Sequence, residues 1–490
     1  MSNAGHPKGL YVCFGAEMFE RLCYYGMRGL LTLYLTKALM MGDVKAFGIY
    51  GAYTALVYAA PVWGGRLADA VLGYRRAIMF GGVVMAIGEF LILGGNDFWL
   101  FLGMGAIVIG NGYFKANIST IVGRLYAEGD PRRDSGFTIF YMGINIGALL
   151  ATVAISPIGE KYGFRIGFAL AGVGMLIAVA QFWWGQRYLE GHGEPADPER
   201  YRKWAMPVYV ISLAAIPGIY ALINWGTQLT FLGLDLLFWI LIGLMVFVCV
   251  TLLGEGFKAG RIVRDRILVL LTLMVFNVVF WACFEQAGSS LTLFADRNVD
   301  RDVFGLFTMT ASATQSFNAA FIILFGSVFS VMWVKLSAMN RNPNIPMKFG
   351  LGIVQLGLGY LLLLVGSHLA DDMFRVPLVI LALMYLLHTT GELFLSPIGL
   401  SMVTKLAPKH MTGTVMGAWF LSWAFSNYLA SVLAKFTGAG EGVDVATMDP
   451  AQSLANYVSV YGSMGWVTVG IGLFLVALSK PLAKMMHGVE

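Results

Sequence analysis

Long apolar runs limit what this chain can fold into. Two of them, Met206–Ile223 and Leu236–Leu253, stay mostly apolar over nearly the ~20 residues that a helix needs to cross a bilayer. Strands that cross a membrane are shorter and alternate between polar and apolar residues, so runs of this length argue against a barrel. Of the 490 residues, 58% are hydrophobic and 12% are charged, whereas a soluble domain has about 25% charged residues. We therefore predict an all-α membrane protein.

Fourteen segments are candidate transmembrane helices. They are residues 11–40, 47–70, 77–95, 98–125, 136–157, 164–184, 206–224, 229–254, 267–294, 304–337, 347–367, 375–404, 412–436 and 456–480. If the N-terminus is inside, the cytoplasmic loops hold 21 Lys and Arg residues and the outer loops hold seven. Because cytoplasmic loops carry an excess of these residues, the bias supports fourteen spans with both termini in the cytoplasm. A net charge of +5 that comes from such loops does not indicate a nucleic-acid partner.

The spans divide into six, two and six. Residues 1–190 are predicted to form a six-helix bundle, residues 191–266 a linker with two further transmembrane helices, and residues 267–490 a second six-helix bundle. No letter-by-letter repeat relates the two halves, so this division depends on counting spans. Transporters built from two bundles place the substrate between the halves, near the middle of the membrane.

The first span carries a stripe of charged and aromatic residues about 100° wide on a helical wheel. Its members are Glu17, Glu20, Arg21, Tyr24 and Arg28, with Tyr25 beside them. Ionisable groups inside a membrane are expensive and usually functional, so the stripe is expected to face a wet cavity or a partner helix. A structural face of salt bridges at the membrane edge is the alternative. Lys115, in the middle of the fourth span, is likewise expected to be paired.

Single carboxylates occur among apolar residues in two later spans. Glu285 follows Trp281 by one helical turn, and Ser396 follows Glu392 by one turn. Burial favours the neutral form of a carboxyl and a nearby cation favours the charged form. A group balanced between these effects can bind and release a proton, as a proton-coupled carrier requires. His388 could join these acids, or could be a hydrogen-bonded packing residue.

The loop after the second span, GGRLADAVLGYRR at 64–76, resembles a loop of the major facilitator transporters. Its glycines allow close turns, and its Asp and Arg residues allow a cytoplasmic latch. We therefore predict that Asp69, Arg75 and Arg76 form a gating latch.

Several segments together resemble the proton-dependent oligopeptide transporter family of the major facilitator superfamily. The first span matches the family's ExxERxxYYG pattern from Glu17 to Gly26, and the fifth matches its signature as FYMGINIG, Phe140–Gly147. Further matching segments are GNGYFKANIS, FWACFEQ, GELFLSPIGLS and MGAWFLSWAFSN. These matches extend in order from residue 17 to about residue 427.

The resemblance implies the major facilitator fold with an inserted two-helix hairpin, in a bacterial plasma (inner) membrane. It implies a monomeric symporter that imports di- and tripeptides with protons, and that needs a proton gradient but no cofactor or metal. The residues implied to face the peptide carboxylate are Arg21, Lys115, Asn145, Tyr24 and Tyr25; those implied to face its amine are Asn318 and Glu392; those implied to line side-chain pockets are Tyr58 and Trp419. Glu17, Glu20 and Glu285 would carry or relay the proton, and the cations Arg21 and Lys115 belong to the same proton-coupling set. Arg28, Trp281, Glu285 and Ser396 complete the candidate substrate site.

The sequence departs from the family pattern at three places. Ala116 stands after Lys115 where the family usually has Pro, and Ile323–Ser327 lacks the Pro usual in the tenth span. Animal members use a His in the second span, where this chain has Tyr53 and Tyr58, so coupling should depend on carboxylates.

The residue types agree with a peptide as substrate, because a peptide is a zwitterion of fixed short length. The first six spans supply cations and the last six supply acids. A proton-coupled facilitator of another small solute, such as nitrate or a drug-like peptide mimic, stays open. A membrane enzyme is not expected: the sequence has no metal cluster and no reachable Ser–His arrangement, and Gly110–Gly112 is better interpreted as helix packing than as a phosphate loop. A channel would need a repeated pore segment.

Overall fold

The computed structural model describes residues 5–127, 130, 132–232, 234–406, 412–438 and 449–489. Nearly all of the regular structure is helical, as the long apolar runs predict. The chain divides into two compact units. The first contains Met1–Met40 and Ala52–Leu229, and the second contains Met41–Gly51 and Thr230–Glu490.

The regular structure described in the first unit is helical throughout. The helices are α1 (Lys8–Leu33), α2 (Asp43–Ala59, whose first residues belong to the second unit), α3 (Pro61–Leu67), α4 (Tyr74–Ile92), α5 (Asp97–Arg124), α6 (Arg133–Leu150), α7 (Ser156–Tyr162), α8 (Phe164–Gly185), α9 (Pro198–Ala214) and α10 (Ile216–Asn224). Short π-helical segments at Tyr34–Ala38, Ala68–Leu72 and Ala151–Ile155 continue α1, α3 and α6. Asn96 caps α5 by accepting a hydrogen bond from the Trp99 amide at 3.1 Å, which satisfies one of the free donors of a helix start.

The second unit contains the remaining helices and six very short strands. The helices are α11 (Leu236–Lys258), α12 (Arg261–Phe284), α13 (Ser290–Asn298), α14 (Ser316–Ala338), α15 (Ile345–Ser367), α16 (Leu378–Leu406), α17 (Thr412–Lys435) and α18 (Pro450–Met485). The strands are β1 (Thr230–Phe231), β2 (Leu234–Asp235), β3 (Val299–Asp300), β4 (Asp302–Val303), β5 (Phe307–Thr308) and β6 (Val376–Pro377). β1–β2 and β4–β5 pair antiparallel, and β3–β6 pair parallel.

Each unit has a core of closely packed helices. In the first, α4 packs along α5, and α1 lies against α6 and α8; in the second, α15 packs along α18 and α16. Among the described residues, ten helical stretches are long and apolar enough to cross a membrane. The count of fourteen spans stays a prediction.

Two predicted span boundaries are wrong. Strand β5 lies within the start of the segment predicted at 304–337 and pairs with β4 just before it. Helix α14 begins only at Ser316, after a 3₁₀ turn at Ser312–Gln315. The segment predicted at 229–254 begins with the β1–β2 hairpin, and its helix α11 starts at Leu236. In both places apolar residues extend into a hairpin, so hydropathy does not mark the helix start.

Candidate functional site

The charged stripe of α1 forms a buried ion-pair cluster. Arg21 donates through Nε and Nη2 to both carboxylate oxygens of Glu20, the Nη2 bond measuring 2.7 Å. Its Nε also lies 3.3 Å from Oε1 of Glu17. All three side chains are almost completely buried. Two acids therefore share one guanidinium, which leaves the group with one excess negative charge when both acids are ionised.

Helix α5 supplies two further groups to this cluster. Asn111 donates a hydrogen bond from Nδ2 to Oε1 of Glu20 at 2.9 Å. The Lys115 ammonium lies 3.9 Å from the centre of the Tyr58 ring, and it is near enough to Glu17 for the two charges to attract each other. Lys115 thus adds an attractive charge near Glu17. That a mid-span Lys is paired stays a prediction.

Three aromatic and amide side chains surround the cluster. Tyr24 and Tyr25 meet edge to face with ring centres 5.2 Å apart, and the Arg21 guanidinium lies 5.1 Å from the Tyr24 ring. The Arg28 guanidinium lies 5.8 Å from the Tyr25 ring. Asn145 donates to the Tyr141 carbonyl at 3.0 Å. The stripe predicted on α1 is therefore a packed polar surface inside the first unit.

Gly147 allows α6 to lie close to this surface. A Cβ on Gly147 would lie 2.3 Å from the Met18 carbonyl oxygen and 2.9 Å from Cβ of Arg21. Only glycine leaves space for this approach, which brings the FYMGINIG segment against the charged face of α1.

The second unit contains a separate acidic group. Glu392, on α16, accepts a hydrogen bond from Nδ2 of Asn318 at 2.9 Å, and the same amide lies 3.0 Å from the Thr389 hydroxyl. Glu285 is buried at the end of α12, where the helix changes to a 3₁₀ turn. It is near enough to Glu392 for the two carboxylates to repel each other. Two acids with amide and hydroxyl neighbours suit a cationic amine.

Aromatic residues line the same part of the second unit. Trp281 donates from its indole nitrogen to Oδ1 of Asn277 at 3.1 Å, and its ring lies 5.6 Å from that of Trp423. Trp419 is buried, and its indole nitrogen has no hydrogen-bond partner among the described residues. The Ser396 hydroxyl likewise has no hydrogen-bond partner among the described residues. Both atoms are buried polar groups without a partner among the described residues.

The residues predicted as a latch belong to two separate networks. The Tyr74 hydroxyl donates to Oδ1 of Asp69 and accepts from Nη2 of Arg124 at 2.7 Å. Arg75 and Arg76 instead each lie 3.4 Å from an oxygen of Glu194. The structure therefore does not pair Asp69 with either arginine.

Several participants were not identified from the sequence. Asn111, Thr389 and Glu194 contact predicted site residues, but each contact joins different helices or a loop, so helical periodicity gives no signal for it. The one sequence feature that could have indicated such a contact was Asn111, an Asn within an apolar span one helical turn before Lys115.

His388 is fully buried against the Tyr360 ring, at 4.7 Å between centres, which agrees with its interpretation as a packing residue. The described residues contain no group of three or more His, Cys, Asp or Glu side chains that could hold a metal ion.

Comparison with known proteins gives consistent matches over almost the whole chain. A sequence profile of the POT family matches residues 75–448. Dipeptide and tripeptide permease A of Escherichia coli is 34% identical over 484 residues, which cover 98% of this chain and 93% of the permease. Dipeptide and tripeptide permease B of Xenorhabdus bovienii is 31% identical over 485 residues, covering 98% and 96%. The crystal structure of a POT peptide transporter in complex with sulfate superposes with a TM-score of 0.84 at 34% identity, covering 100% of this chain and 97% of that one.

Proposed function

The chain belongs to the POT family of peptide transporters, and we propose that it is a proton-coupled symporter that imports di- and tripeptides by alternating access. The family consists of transporters, so the protein is not an enzyme. The observation that supports coupling most strongly is the buried group of Glu17, Glu20 and Arg21 with Lys115 beside it.

The peptide is held at its two charged ends. The cations Arg21 and Lys115 bind the carboxylate, with Asn145 and the tyrosines of α1 as further donors. Glu392, oriented by Asn318, binds the amine. Residues that make room for side chains or complete the polar lining are Tyr24, Tyr25, Arg28, Tyr58, Trp281, Ser396 and Trp419. These groups recognise the backbone ends and no particular side chain, so the site selects length and tolerates sequence.

The proton and the peptide are linked by competition for the same cations. Protonation of an acid in the set Glu17, Glu20 and Glu285 frees Arg21 or Lys115 for the peptide carboxylate. Loss of the proton returns the cation to its acid and releases the peptide. One proton moving down 100 mV contributes about 2.3 kcal/mol, which corresponds to about fiftyfold accumulation of a neutral peptide.

The placement in the membrane follows from the distribution of basic residues in the sequence. We propose an inner-membrane protein with both termini in the cytoplasm, because the Lys and Arg residues are concentrated in the loops on that side. The three-part division at 1–190, 191–266 and 267–490 belongs to this proposal. A monomer suffices, since one chain supplies both the cationic and the acidic groups.

Uptake of labelled dialanine into proteoliposomes tests the function. The purified protein should accumulate dialanine when the inside is negative and the outside acidic, and should lose accumulation when the gradients are collapsed. The Glu20→Gln protein should still exchange internal for external dialanine but should not accumulate it, because its carboxylate no longer takes up and releases the proton.

The control is Glu199→Gln, which removes an acid of the same type at an exposed position in the first turn of α9 and should accumulate peptide normally. Normal concentrative uptake by Glu20→Gln would contradict the coupling mechanism. Gradient-driven uptake of nitrate that dialanine does not inhibit would contradict the choice of substrate.

A further inference from the structure

A crevice of about 490 Å³ lies beside the start of α4, away from the charged cluster of α1. Its polar end is lined by Arg75, Arg76, Gln186 and Tyr201, and its apolar end by Met79, Phe80, Val83 and Tyr209. The volume is within the ~300–1,000 Å³ typical of small-molecule sites. The crevice is therefore large enough for a ligand that is polar at one end and apolar at the other.

The polar end carries a net positive charge. Arg75 donates from Nε to the His192 carbonyl at 2.6 Å, and its Nη1 lies 3.4 Å from Glu194. Its Nη2 is buried and has no hydrogen-bond partner among the described residues. The Arg76 guanidinium lies 4.1 Å from the centre of the Tyr201 ring. Two guanidinium groups thus share one carboxylate at long distance, and one buried donor remains unsatisfied.

The loop that carries Glu194 is fixed in place against α4. Gly73, which precedes the helix, has φ of 72°, and a Cβ there would lie 2.5 Å from the Pro195 nitrogen. The Arg75 amide donates to the Gly193 carbonyl at 3.0 Å. The loop backbone is therefore held against α4, so the polar end of the crevice is preformed.

The apolar end runs along α4, away from Arg75 and Arg76. Arg76, Met79, Phe80 and Val83 follow one face of the helix over two turns, about 10 Å along its axis. Phe80 packs on Tyr209 of α9, with ring centres 4.8 Å apart. Val83 is 42% exposed, and α9 also exposes apolar side chains, among them Met206, Val210 and Ile211. Exposed apolar side chains on both helices therefore provide a surface that suits lipid tails.

We propose that this crevice binds an anionic phospholipid, with its phosphate at Arg75 and Arg76 and its acyl chains along Met79 and Val83. Charge complementarity selects the headgroup, because basic pockets between transmembrane helices attract anionic lipids. The apolar continuation selects a lipid over a free anion. The site is separate from the proposed peptide site, so lipid binding can be measured whether or not the protein carries peptides.

Native mass spectrometry of the full-length protein in detergent tests this proposal. We expect the protein to retain one phosphatidylglycerol molecule more tightly than phosphatidylethanolamine with the same acyl chains. Arg76→Gln should bind phosphatidylglycerol about fivefold more weakly, since one basic side chain near an anionic lipid surface contributes a factor of that order. Glu194→Gln should bind it more tightly, because the competing carboxylate is gone.

Two further variants test whether lipid binding needs the apolar end of the crevice, and whether it depends on the position of the arginine that is removed. Val83→Trp fills the apolar end without changing charge and should also weaken binding. Arg202→Gln removes an exposed arginine near the start of α9 that does not line the crevice, and it should bind like the unmodified protein. Equal binding of the two lipids, an unchanged Arg76→Gln, a weaker Glu194→Gln, or displacement of the lipid by equimolar inorganic phosphate would each overturn the proposal.

Discussion

Buried amide side chains in the first unit differ in what they bond to. Asn111 and Asn117 lie on the same helix, α5, and both are almost completely buried. Asn111 donates to Glu20 on another helix, whereas Asn117 donates to the Tyr113 carbonyl of its own helix at 2.8 Å. Of these two amides, only Asn111 therefore connects α5 to the charged cluster.

This difference predicts the effect of removing each amide. Asn111→Leu should cost ~1–3 kcal/mol, because a buried carboxylate loses one of its donors. Thermal unfolding in detergent should show a clear decrease in midpoint, and gradient-driven dialanine uptake should decrease with it. Asn117→Leu is the matched control and should change both only slightly. An Asn117→Leu protein as damaged as Asn111→Leu would contradict the role given to Asn111.

At this scale the sequence predicts part of the site. The stripe from Glu17 to Arg28 follows from helical periodicity alone, and the structure brings its acids and Arg21 together. The contact with Asn111 could not be predicted, since it depends on which face of α5 packs against α1. The same holds for Glu194, whose partners lie in a distant part of the sequence.

Single helices in the second unit are held by specific polar contacts at their ends. Asp43, the first residue of α2, is completely buried and accepts two hydrogen bonds from Arg297, in the last turn of α13, at 2.7 and 2.8 Å. Arg297 is also largely buried. Sequence spacing gives no signal for this pair, because the two residues lie 254 positions apart in the chain.

Breaking this pair should destabilise the second unit strongly. Arg297→Ala leaves the Asp43 carboxylate buried without its cation, and such a loss costs about 3–5 kcal/mol. Arg375→Ala is the control, because its pair with Asp371 is more than one third exposed and water screens an exposed pair, so its loss should change stability little. The thermal midpoints of the two variants give the comparison. An Arg297→Ala protein no less stable than Arg375→Ala would show that the pair does not hold α2 in place.

Helix ends were harder to predict than helices. Glu285 falls where α12 becomes a 3₁₀ turn, and neither Gly nor Pro precedes it to mark the change. The hairpins at β1–β2 and β4–β5 contain Leu and Phe residues that continue the apolar pattern of the neighbouring helix. Hydropathy registers residues that avoid water, and it does not distinguish a helix from a short hairpin at the membrane edge.

Orientation is a property of the whole chain, and three labelling positions test it. Arg202 and Phe304 are separated by three predicted spans, and Phe304 and Arg341 by one, so Phe304 should lie outside the cell and the other two inside. All three side chains are exposed, Phe304 to 95%. Variants with one added cysteine at these positions can be treated with a membrane-impermeant maleimide. The background has Cys249 replaced by Ser, and it keeps Cys13, Cys23 and Cys283, which are buried. Phe304→Cys should label in intact cells, and Arg202→Cys and Arg341→Cys only after permeabilisation. Labelling of Arg202→Cys and Phe304→Cys from the same side would require an even number of spans between them and would contradict the count of fourteen.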